Sequence, residues 1–305
     1  MRDLDLTTLR LFVTVCETRN IARAGEQAHI VGSAISKRLA QLENTVGTPL
    51  LVRRRRGVEP TPAGETLLEH ARSMLASADR IERDMAAYAS GIKGQVRLLA
   101  TASVMAESLA DDVAAFLKDP AHRDIRVDME ERISPDVVRG IWQGSASLGI
   151  CWASEHGADL GALQSRPYRS DHLAIVVHPS HVLAGARSVR FEQTLDYEHV
   201  SLPASSAVQI MLQRMAAGLG RTLAYRVIVS NFEAALRVVH ANLAISVVPL
   251  EVARPYAASH DLCLIPLEEP WARRHFAICF RDEAGLSAAA RLLLAHLQDQ
   301  SVPPS

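Results

Sequence analysis

Apolar residues recur at helical spacing from the start of the chain, and this pattern predicts a first helix over residues 6–18. Its apolar stripe consists of Leu6, Leu9, Phe12, Val13 and Cys16. Asn20 is a good N-cap for a second helix over residues 21–29, because its side chain can accept from the first free N–H groups. The small residues Ala24, Gly25 and Ala28 would allow a close crossing of helices.

A third helix should begin near Ser33, with Gly32 supplying the turn before it. Its predicted anchors are Ala34, Ile35, Leu39 and Leu42, and its outward face is polar and basic. Two short helices joined by a tight turn, the second one basic, form the geometry that enters a DNA major groove. The candidate DNA-contacting residues of this element are Asn20, Ser33, Ser36, Lys37, Arg38 and Gln41.

Four consecutive arginines follow, between two short extended segments. Together with Gly57 they predict the tip of a β-hairpin wing. Four arginines can also be a solvated loop, but their place directly after a helix-turn-helix favours neutralisation of DNA phosphate, with little reading of sequence. We therefore add Arg53, Arg54, Arg55 and Arg56 to the candidate DNA-contacting residues.

Thr61 and Pro62 predict the start of a long helix that reaches about residue 90. Apolar residues alternate spacings of four and three along it, which is the pattern of a coiled coil. Packing on its own domain is the alternative, but the helix is too long for one small domain to cover. The predicted dimer seam consists of Leu67, Ala71, Met74, Ala78, Ile81, Met85 and Tyr88. Residues 91–94, with two glycines, are the candidate hinge.

From residue 95 the pattern changes to strands that alternate with helices, which favours parallel, doubly wound α/β sheets. Strands are predicted at residues 96–100, 125–130, 148–152, 163–168, 173–178, 199–202, 224–229, 244–248, 263–267 and 276–280. Helices are predicted at residues 106–117, 134–143, 207–217, 232–241 and 287–298.

Charge separates the two parts of the chain. Residues 1–60 hold ten Lys or Arg against six Asp or Glu, a net charge of +4, and the remainder carries −5. The first 60 residues are therefore expected to contact phosphate groups, and the remainder is not. The chain shows no run of about 18 apolar residues and no signal-peptide core, so we expect a soluble, cytoplasmic protein without a membrane partner.

Other classes of protein find little support. The motifs of serine hydrolases, P-loop enzymes, zinc proteases and dinucleotide-binding enzymes are absent, so we expect no enzyme, no cofactor and no catalytic residue. His172, His178 and His181 suggest a metal site only weakly, and we expect none. The four cysteines are far apart in sequence; buried thiols are the simpler interpretation and a redox-sensing pair is the alternative.

The chain resembles the LysR-type transcriptional regulators over nearly its whole length. The motifs that carry the resemblance are Ala34-Ile35-Ser36-Lys37-Arg38-Leu39, Leu42-Glu43, Gly47-Thr48-Pro49-Leu50-Leu51-Val52-Arg53, Thr61-Pro62-Ala63-Gly64-Glu65, Val177-His178-Pro179-Ser180-His181-Val182-Leu183-Ala184 and Ala244-Ile245-Ser246-Val247-Val248-Pro249. The chain departs from the family's common Ser-Gln-Pro-Ala at residues 31–34, so base reading would shift to Ser33, Ser36, Lys37 and Arg38. Asn242 replaces a usual glycine and tolerates the same left-handed turn.

The resemblance implies a winged helix-turn-helix (1–61), a dimerising linker helix (62–90), the hinge (91–94) and an effector domain (95–305) like the periplasmic binding proteins. Its two lobes would comprise residues 95–168 with 263–300, and residues 169–262. Expected partners are double-stranded DNA, RNA polymerase and further copies of the chain, as a dimer or tetramer.

The effector is expected between the lobes, where strand ends meet helix N-termini, and those termini favour a small organic anion such as a carboxylate. By family position, the residues facing it are Thr101, Ser103, Arg132, Ser134, Pro203, Ser205, Ser206, Asn231 and Phe232.

Overall fold

A computed structural model describes residues 4–54, 57–89, 94–152 and 158–300 of the chain; within residues 80–89 it describes the side chains of residues 81, 82 and 85. The chain divides into two compact units. One comprises Met1–Ser90 with Trp142–Ser145, and the other comprises Gly91–Ile141 and Ala146–Ser305.

The first unit is a three-helix core with a β-hairpin and a long helix. Its elements are α1 (Leu6–Thr18), α2 (Ile21–Ala28), α3 (Gly32–Val46), β1 (Leu51–Arg54), β2 (Gly57–Pro60) and α4 (Pro62–Ala89). Side-chain caps begin two of the helices, since Asp5 accepts from the backbone N–H of Thr8 and Asn20 accepts from those of Ala22 and Arg23. The apolar faces of α1 and α3 share one core, which includes Leu9, Phe12, Ile35, Leu39 and Leu42.

Three local expectations for this unit were wrong. The turn before α3 is made by His29, which is left-handed with a φ of 55°, whereas Gly32 is already the first residue of α3. Leu6, a member of the predicted apolar stripe, is 41% exposed and does not belong to the buried core. Arg53 and Arg54 belong to strand β1, which pairs antiparallel with β2, rather than to the hairpin tip. Arg55 and Arg56 lie outside the described residues.

The long helix α4 packs its first turns onto the core of its own unit. Ala71 is fully buried there and Leu67 is half-buried against the same cluster. Farther along the helix, Met74, Ile81 and Met85 are exposed. The first part of the predicted dimer seam is therefore covered within the unit. The side chain of Tyr88 and residues 91–93 of the predicted hinge lie outside the described residues, and Gly94 begins a strand.

The second unit alternates strands and helices. Its strands are β3 (Gly94–Ala100), β4 (Ile125–Glu131), β5 (Leu148–Trp152), β6 (Gln164–Val177), β7 (Glu198–Ser201), β8 (Ala224–Ile228), β9 (Ser246–Pro249), β10 (Cys263–Pro266) and β11 (Arg273–Phe280). Its helices are α5 (Ala102–Glu107), α6 (Leu109–Lys118), α7 (Ser134–Trp142), α8 (Phe191–Thr194), α9 (Ala207–Gly218), α10 (Phe232–His240), α11 (Leu250–His260) and α12 (Ala288–Asp299).

These strands form two lobes that share β6. In the first lobe the order is β4, β3, β5, β11 and the first half of β6. The second half of β6 pairs with β9 and β10 in the second lobe, where β7 and β8 form a parallel pair beside β9. The pairs β3–β4 and β3–β5 are parallel as expected, whereas the strands that return between the lobes pair antiparallel.

The structure corrects four expectations for this unit. The two strands predicted at residues 163–168 and 173–178 are one strand, β6, because its apolar second half continues the same extended chain into the other lobe. The predicted helix 106–117 is divided into α5 and α6. Helix α11 was missed, since Pro255 inside it disguised the helical pattern. Strand β10 belongs to the second lobe, although residues from 263 onward were assigned to the first.

Candidate nucleic-acid interface and inter-lobe cavity

Helix α3 buries Ile35, Leu39 and Leu42 and presents its polar residues outward. Ser33, Lys37, Arg38 and Gln41 are exposed and Ser36 is half-buried. Among the side chains that the structure describes, no acid pairs with Lys37, so its charge is free to meet phosphate or a guanine acceptor. The sequence periodicity predicted this face, because every third or fourth residue of α3 is apolar and packs in the core.

Arg38 is exposed, but its guanidinium is bonded to the start of α1. Its Nη1 donates to Thr8 Oγ1 at 3.2 Å and lies 3.7 Å from Asp5 Oδ2, both at the start of α1. The hydrogen bonds from Thr8 hold the pKa of Asp5 below its ordinary value, so the acid stays charged beside the guanidinium. Arg38 therefore ties α3 to α1 in the structure, a contact that the sequence did not reveal.

Two further polar residues serve the geometry of the interface. The side chain of Asn20 is occupied as the cap of α2, with its Oδ1 2.8 Å from the backbone nitrogen of Ala22. Glu43 of α3 accepts from the backbone N–H groups of Leu50 and Leu51, at 2.8 and 3.1 Å, and so fixes the start of the hairpin relative to the helix.

The hairpin contributes positive charge next to this helix. Arg53 is exposed, and Arg54 pairs with Glu59 across the hairpin at 3.2 Å. Val31, which was not predicted as a DNA contact, is the N-cap of α3 and is 71% exposed. Its backbone is extended, and its side chain makes no capping hydrogen bond. Its departure from the family's serine was visible in the sequence, but its exposure was not.

In the second unit a cavity of about 820 Å³ lies between the two lobes. All nine residues predicted to face an effector line it: Thr101, Ser103, Arg132, Ser134, Pro203, Ser205, Ser206, Asn231 and Phe232. They meet because β3, β4, β7 and β8 all end at this cleft and helices begin there. Their role in binding stays a prediction.

The charged residues at the cavity are largely paired already. Arg132 donates from Nη2 to Glu130 Oε1 and from Nη1 to the carbonyl oxygen of Glu131, the latter at 3.0 Å. Asp136 pairs with Arg139 at 2.7 Å and Glu233 pairs with Arg237 at 3.0 Å, each within its own helix. Hydrogen bonds from Arg97 and Arg132 keep the pKa of Glu130 below its ordinary value.

Backbone N–H groups and hydroxyls provide the donors for a ligand. Helix α9 starts at the cavity after Ser206, whose side chain makes no capping bond, so the first N–H groups of this helix are open to an acceptor. Asn231, by contrast, caps α10 with its own Oδ1, 2.9 Å from the backbone nitrogen of Ala234. Val252, Pro255 and Tyr256 also line the cavity. They were not predicted, because helix α11, which holds them, was not predicted.

The described residues offer little support for a metal site or for a membrane-spanning helix. No group of three or more metal-binding side chains occurs among the described residues, and none of the described helices is long and apolar enough to cross a membrane. The cysteines are free thiols, and Cys16, Cys151 and Cys279 are buried. Burial raises the pKa of Cys16 to about 11, which makes that thiol a poor nucleophile.

Comparison with known proteins matches both units to one family. The family model for the bacterial regulatory helix-turn-helix protein, lysR family, matches residues 6–65, and the model for the LysR substrate binding domain matches residues 89–301. The uncharacterized HTH-type transcriptional regulator YbhD of Escherichia coli (strain K12) is 25% identical over 96% of this chain and 90% of its own length. The RuBisCO operon transcriptional regulator of Allochromatium vinosum is 23% identical over 94% of this chain and 93% of its own.

The fold is also similar to that of full-length CbnR in complex with its target DNA. The TM-score is 0.64 at 21% identity, and the match covers 97% of this chain and 100% of that one. The two relatives are transcriptional regulators rather than enzymes, and CbnR is a LysR family transcriptional regulator. Because the two family models together match most of its length, the chain belongs to the LysR family of transcriptional regulators, with a DNA-binding helix-turn-helix and an effector-binding domain.

Proposed function

We propose that this protein is a sequence-specific DNA-binding regulator, controlled by a small organic anion that binds between its two lobes. The observation that carries the proposal is the cavity of about 820 Å³, lined by residues from both lobes, in a chain that also holds a helix-turn-helix with an exposed basic face. A ligand that contacts both lobes changes the relative free energies of the arrangements that the lobes can adopt. Such a change is what a ligand-controlled switch requires.

On the DNA side, Lys37 is the best-placed reader. It is exposed on α3 and pairs with no acid whose side chain the structure describes, whereas Arg38 is bonded to α1. Ser33, Ser36 and Gln41 supply polar contacts beside it, and Arg53 and Arg54, with Arg55 and Arg56, supply phosphate contacts. A regulator of chromosomal genes acts in the cytoplasm, and this location is part of the proposal.

We expect Lys37→Ala to weaken binding to a duplex from the region upstream of the protein's own gene by about 1–3 kcal/mol, and to relax the preference at one guanine. Fluorescence anisotropy on that duplex and on a scrambled duplex of equal composition measures both effects. Arg187→Ala, which removes the same charge from an exposed site in the other unit, is the control and should leave binding unchanged. Equal losses on the two duplexes would assign Lys37 to the DNA backbone.

Pairing of two chains would place two α3 helices on related half-sites. The exposed apolar residues Met74, Ile81 and Met85 of α4 support a dimer through this helix. A tetramer on DNA, and contact of the bound assembly with RNA polymerase, complete the proposed regulator.

For the effector, the uncapped start of α9 and the hydroxyls of Ser103, Ser134 and Ser205 favour a group that accepts several hydrogen bonds. A carboxylate fits this requirement. Arg132 would strengthen its binding after exchanging its bond to Glu130 for one to the ligand.

Calorimetry of the full-length protein against a panel of small organic acids should therefore show saturable binding of an acid and little binding of its carboxamide. Ser205→Ala should weaken that binding by about tenfold, because one hydrogen bond to a charged group is lost. Ser180→Ala, at an exposed serine that is absent from the cavity lining, is the matched control. If no acid in the panel binds, the anion is excluded while the DNA-binding role is unaffected.

A further inference from the structure

A buried ion pair lies directly behind the cavity wall. The side chains of Arg274 and Asp171 are 1% and 0% exposed. The guanidinium meets both carboxylate oxygens, with Nε 2.8 Å from Oδ1 and Nη2 bonded to Oδ2. Such a two-point pair holds both side chains in one orientation.

The same guanidinium reaches the cavity lining. Arg274 Nη2 also donates to Ser103 Oγ at 3.1 Å, and Ser103 is one of the lining residues. Because the hydroxyl accepts from a cation, its own proton remains to be donated to another acceptor. The arrangement therefore prepares Ser103 as a hydrogen-bond donor, as an anionic ligand requires.

The pair also lies where the chain passes between the lobes. Asp171 of β6 and Arg274 of β11 face each other in the sheet of the first lobe. Two residues farther along β6, Leu173 already pairs with Pro249 in the second lobe. The ion pair thus joins the strand that leaves the first lobe to the strand that enters it.

A third acid completes the cluster. Glu107, at the end of α5, lies within hydrogen-bonding range of Asp171, with Arg274 and Glu251 of α11 as its other charged neighbours. Burial, and then the negative charge of Asp171, raises the pKa of Glu107 to about 9. At neutral pH the group is therefore a neutral donor to Asp171, and its Oε1 is buried without a partner among the described residues.

We propose that Arg274 is a positioning residue: it orients the Ser103 hydroxyl toward the ligand and, through Asp171 and Glu107, couples occupation of that hydroxyl to the strands that connect the lobes. The inference rests on the proposed function of the cavity. Ligand binding at Ser103 changes the hydrogen bond between Ser103 and Arg274. The change reaches β6 and β11, and the direction of these strands sets the angle between the lobes.

Hydrogen–deuterium exchange of the full-length protein without ligand tests the coupling. Ser103→Ala removes the acceptor from Arg274, and we expect amides of residues 170–176 and 273–276 to exchange about tenfold faster. Ser103→Thr keeps the hydroxyl and should retain the wild-type rates. Ser134→Ala is the matched control, since Ser134 is a buried serine of the same cavity on a different helix. Faster exchange confined to α5, or an equal effect of Ser134→Ala, overturns the proposal.

A pH series provides an independent test, because a purely structural role would give no change of protection with pH in this range. After correction for intrinsic exchange, the wild-type amides of residues 170–176 should lose protection as pH rises through about 9, because ionised Glu107 repels Asp171. Glu107→Gln keeps a donor to Asp171 and should hold its protection to pH 10. Parallel profiles for the two proteins contradict the inference.

These experiments separate the inference from the function on which it rests. If Ser103→Ala loosens β6 and β11 but no organic acid binds, the network stands and the anion proposal fails. If an acid binds through Ser103 while β6 and β11 remain unchanged in Ser103→Ala, the cavity proposal stands and the coupling fails.

Discussion

Gly25→Ala is expected to lower DNA affinity by more than about tenfold, while Gly32→Ala leaves it intact, although both glycines lie in the helix-turn-helix. A Cβ at residue 25 would sit 2.6 Å from the carbonyl oxygen of Ile30, a backbone atom that cannot move alone. The turn also closes over Gly25 through a 2.9 Å hydrogen bond from the nitrogen of Ile30 to the carbonyl oxygen of Gly25. The added methyl group therefore displaces the turn and, with it, the start of α3.

Gly32 provides the matched control. A Cβ there meets its nearest atom, Cγ2 of Ile21, at 3.6 Å, an ordinary contact, and the residue is in helical conformation. Alanine should be neutral or should stabilise the helix by up to about 1 kcal/mol. Anisotropy on the upstream duplex, with thermal unfolding of each variant, measures the outcome. Equal binding by the two variants would show that the α2–α3 turn adapts without cost to DNA recognition.

Asp171→Ala is expected to destabilise the effector domain by about 3–5 kcal/mol, because Arg274 is left as a buried charge without its partner. Urea unfolding followed by tryptophan fluorescence measures the loss, since Trp152 and Trp271 lie in this unit and Trp142 ends its helix α7. The double replacement Asp171→Leu with Arg274→Met should cost much less, since no buried charge remains.

An exposed ion pair supplies the comparison. Asp196 pairs with Arg221 at 2.7 Å, with side chains 68% and 43% exposed, so Asp196→Ala should cost no more than about 1 kcal/mol. A similar loss for Asp171→Ala would mean that water reaches Arg274 in the variant, and the argument from burial would then be wrong.

Much of the first unit followed from local physics. The predicted helices at residues 6–18 and 21–29 are present, Asn20 caps the second, and the apolar stripe Ile35, Leu39 and Leu42 is buried as expected. Caps and 3.6-residue periodicity act over a few residues, so the sequence states them directly. The turn was misassigned because glycine is only a preference in left-handed backbone, and His29 took that position instead.

Nine residues that were predicted from family position gather around one cavity, and their convergence has a physical reason. Parallel strands end at one edge of their sheet, and polar residues that follow successive strands therefore converge. The family resemblance had placed Ser103 and Ser206 at this cleft, and the rule explains why they converge there. It said nothing of Val252 or Tyr256, because α11 contains a proline and follows no strand-and-cap pattern that the sequence makes plain.

By itself the sequence determined that a basic helix-turn-helix precedes a long helix and an α/β body, because periodicity, caps and charge are properties of neighbouring residues. Tertiary structure alone decided that Arg38 is bonded to Thr8, that Ala71 is buried in its own unit, and that Arg274 joins Asp171 and Ser103. These partners lie far apart along the chain, 103 residues for Arg274 and Asp171, and a pattern of hydrophobic and polar positions defines which face is buried but not which side chain it meets.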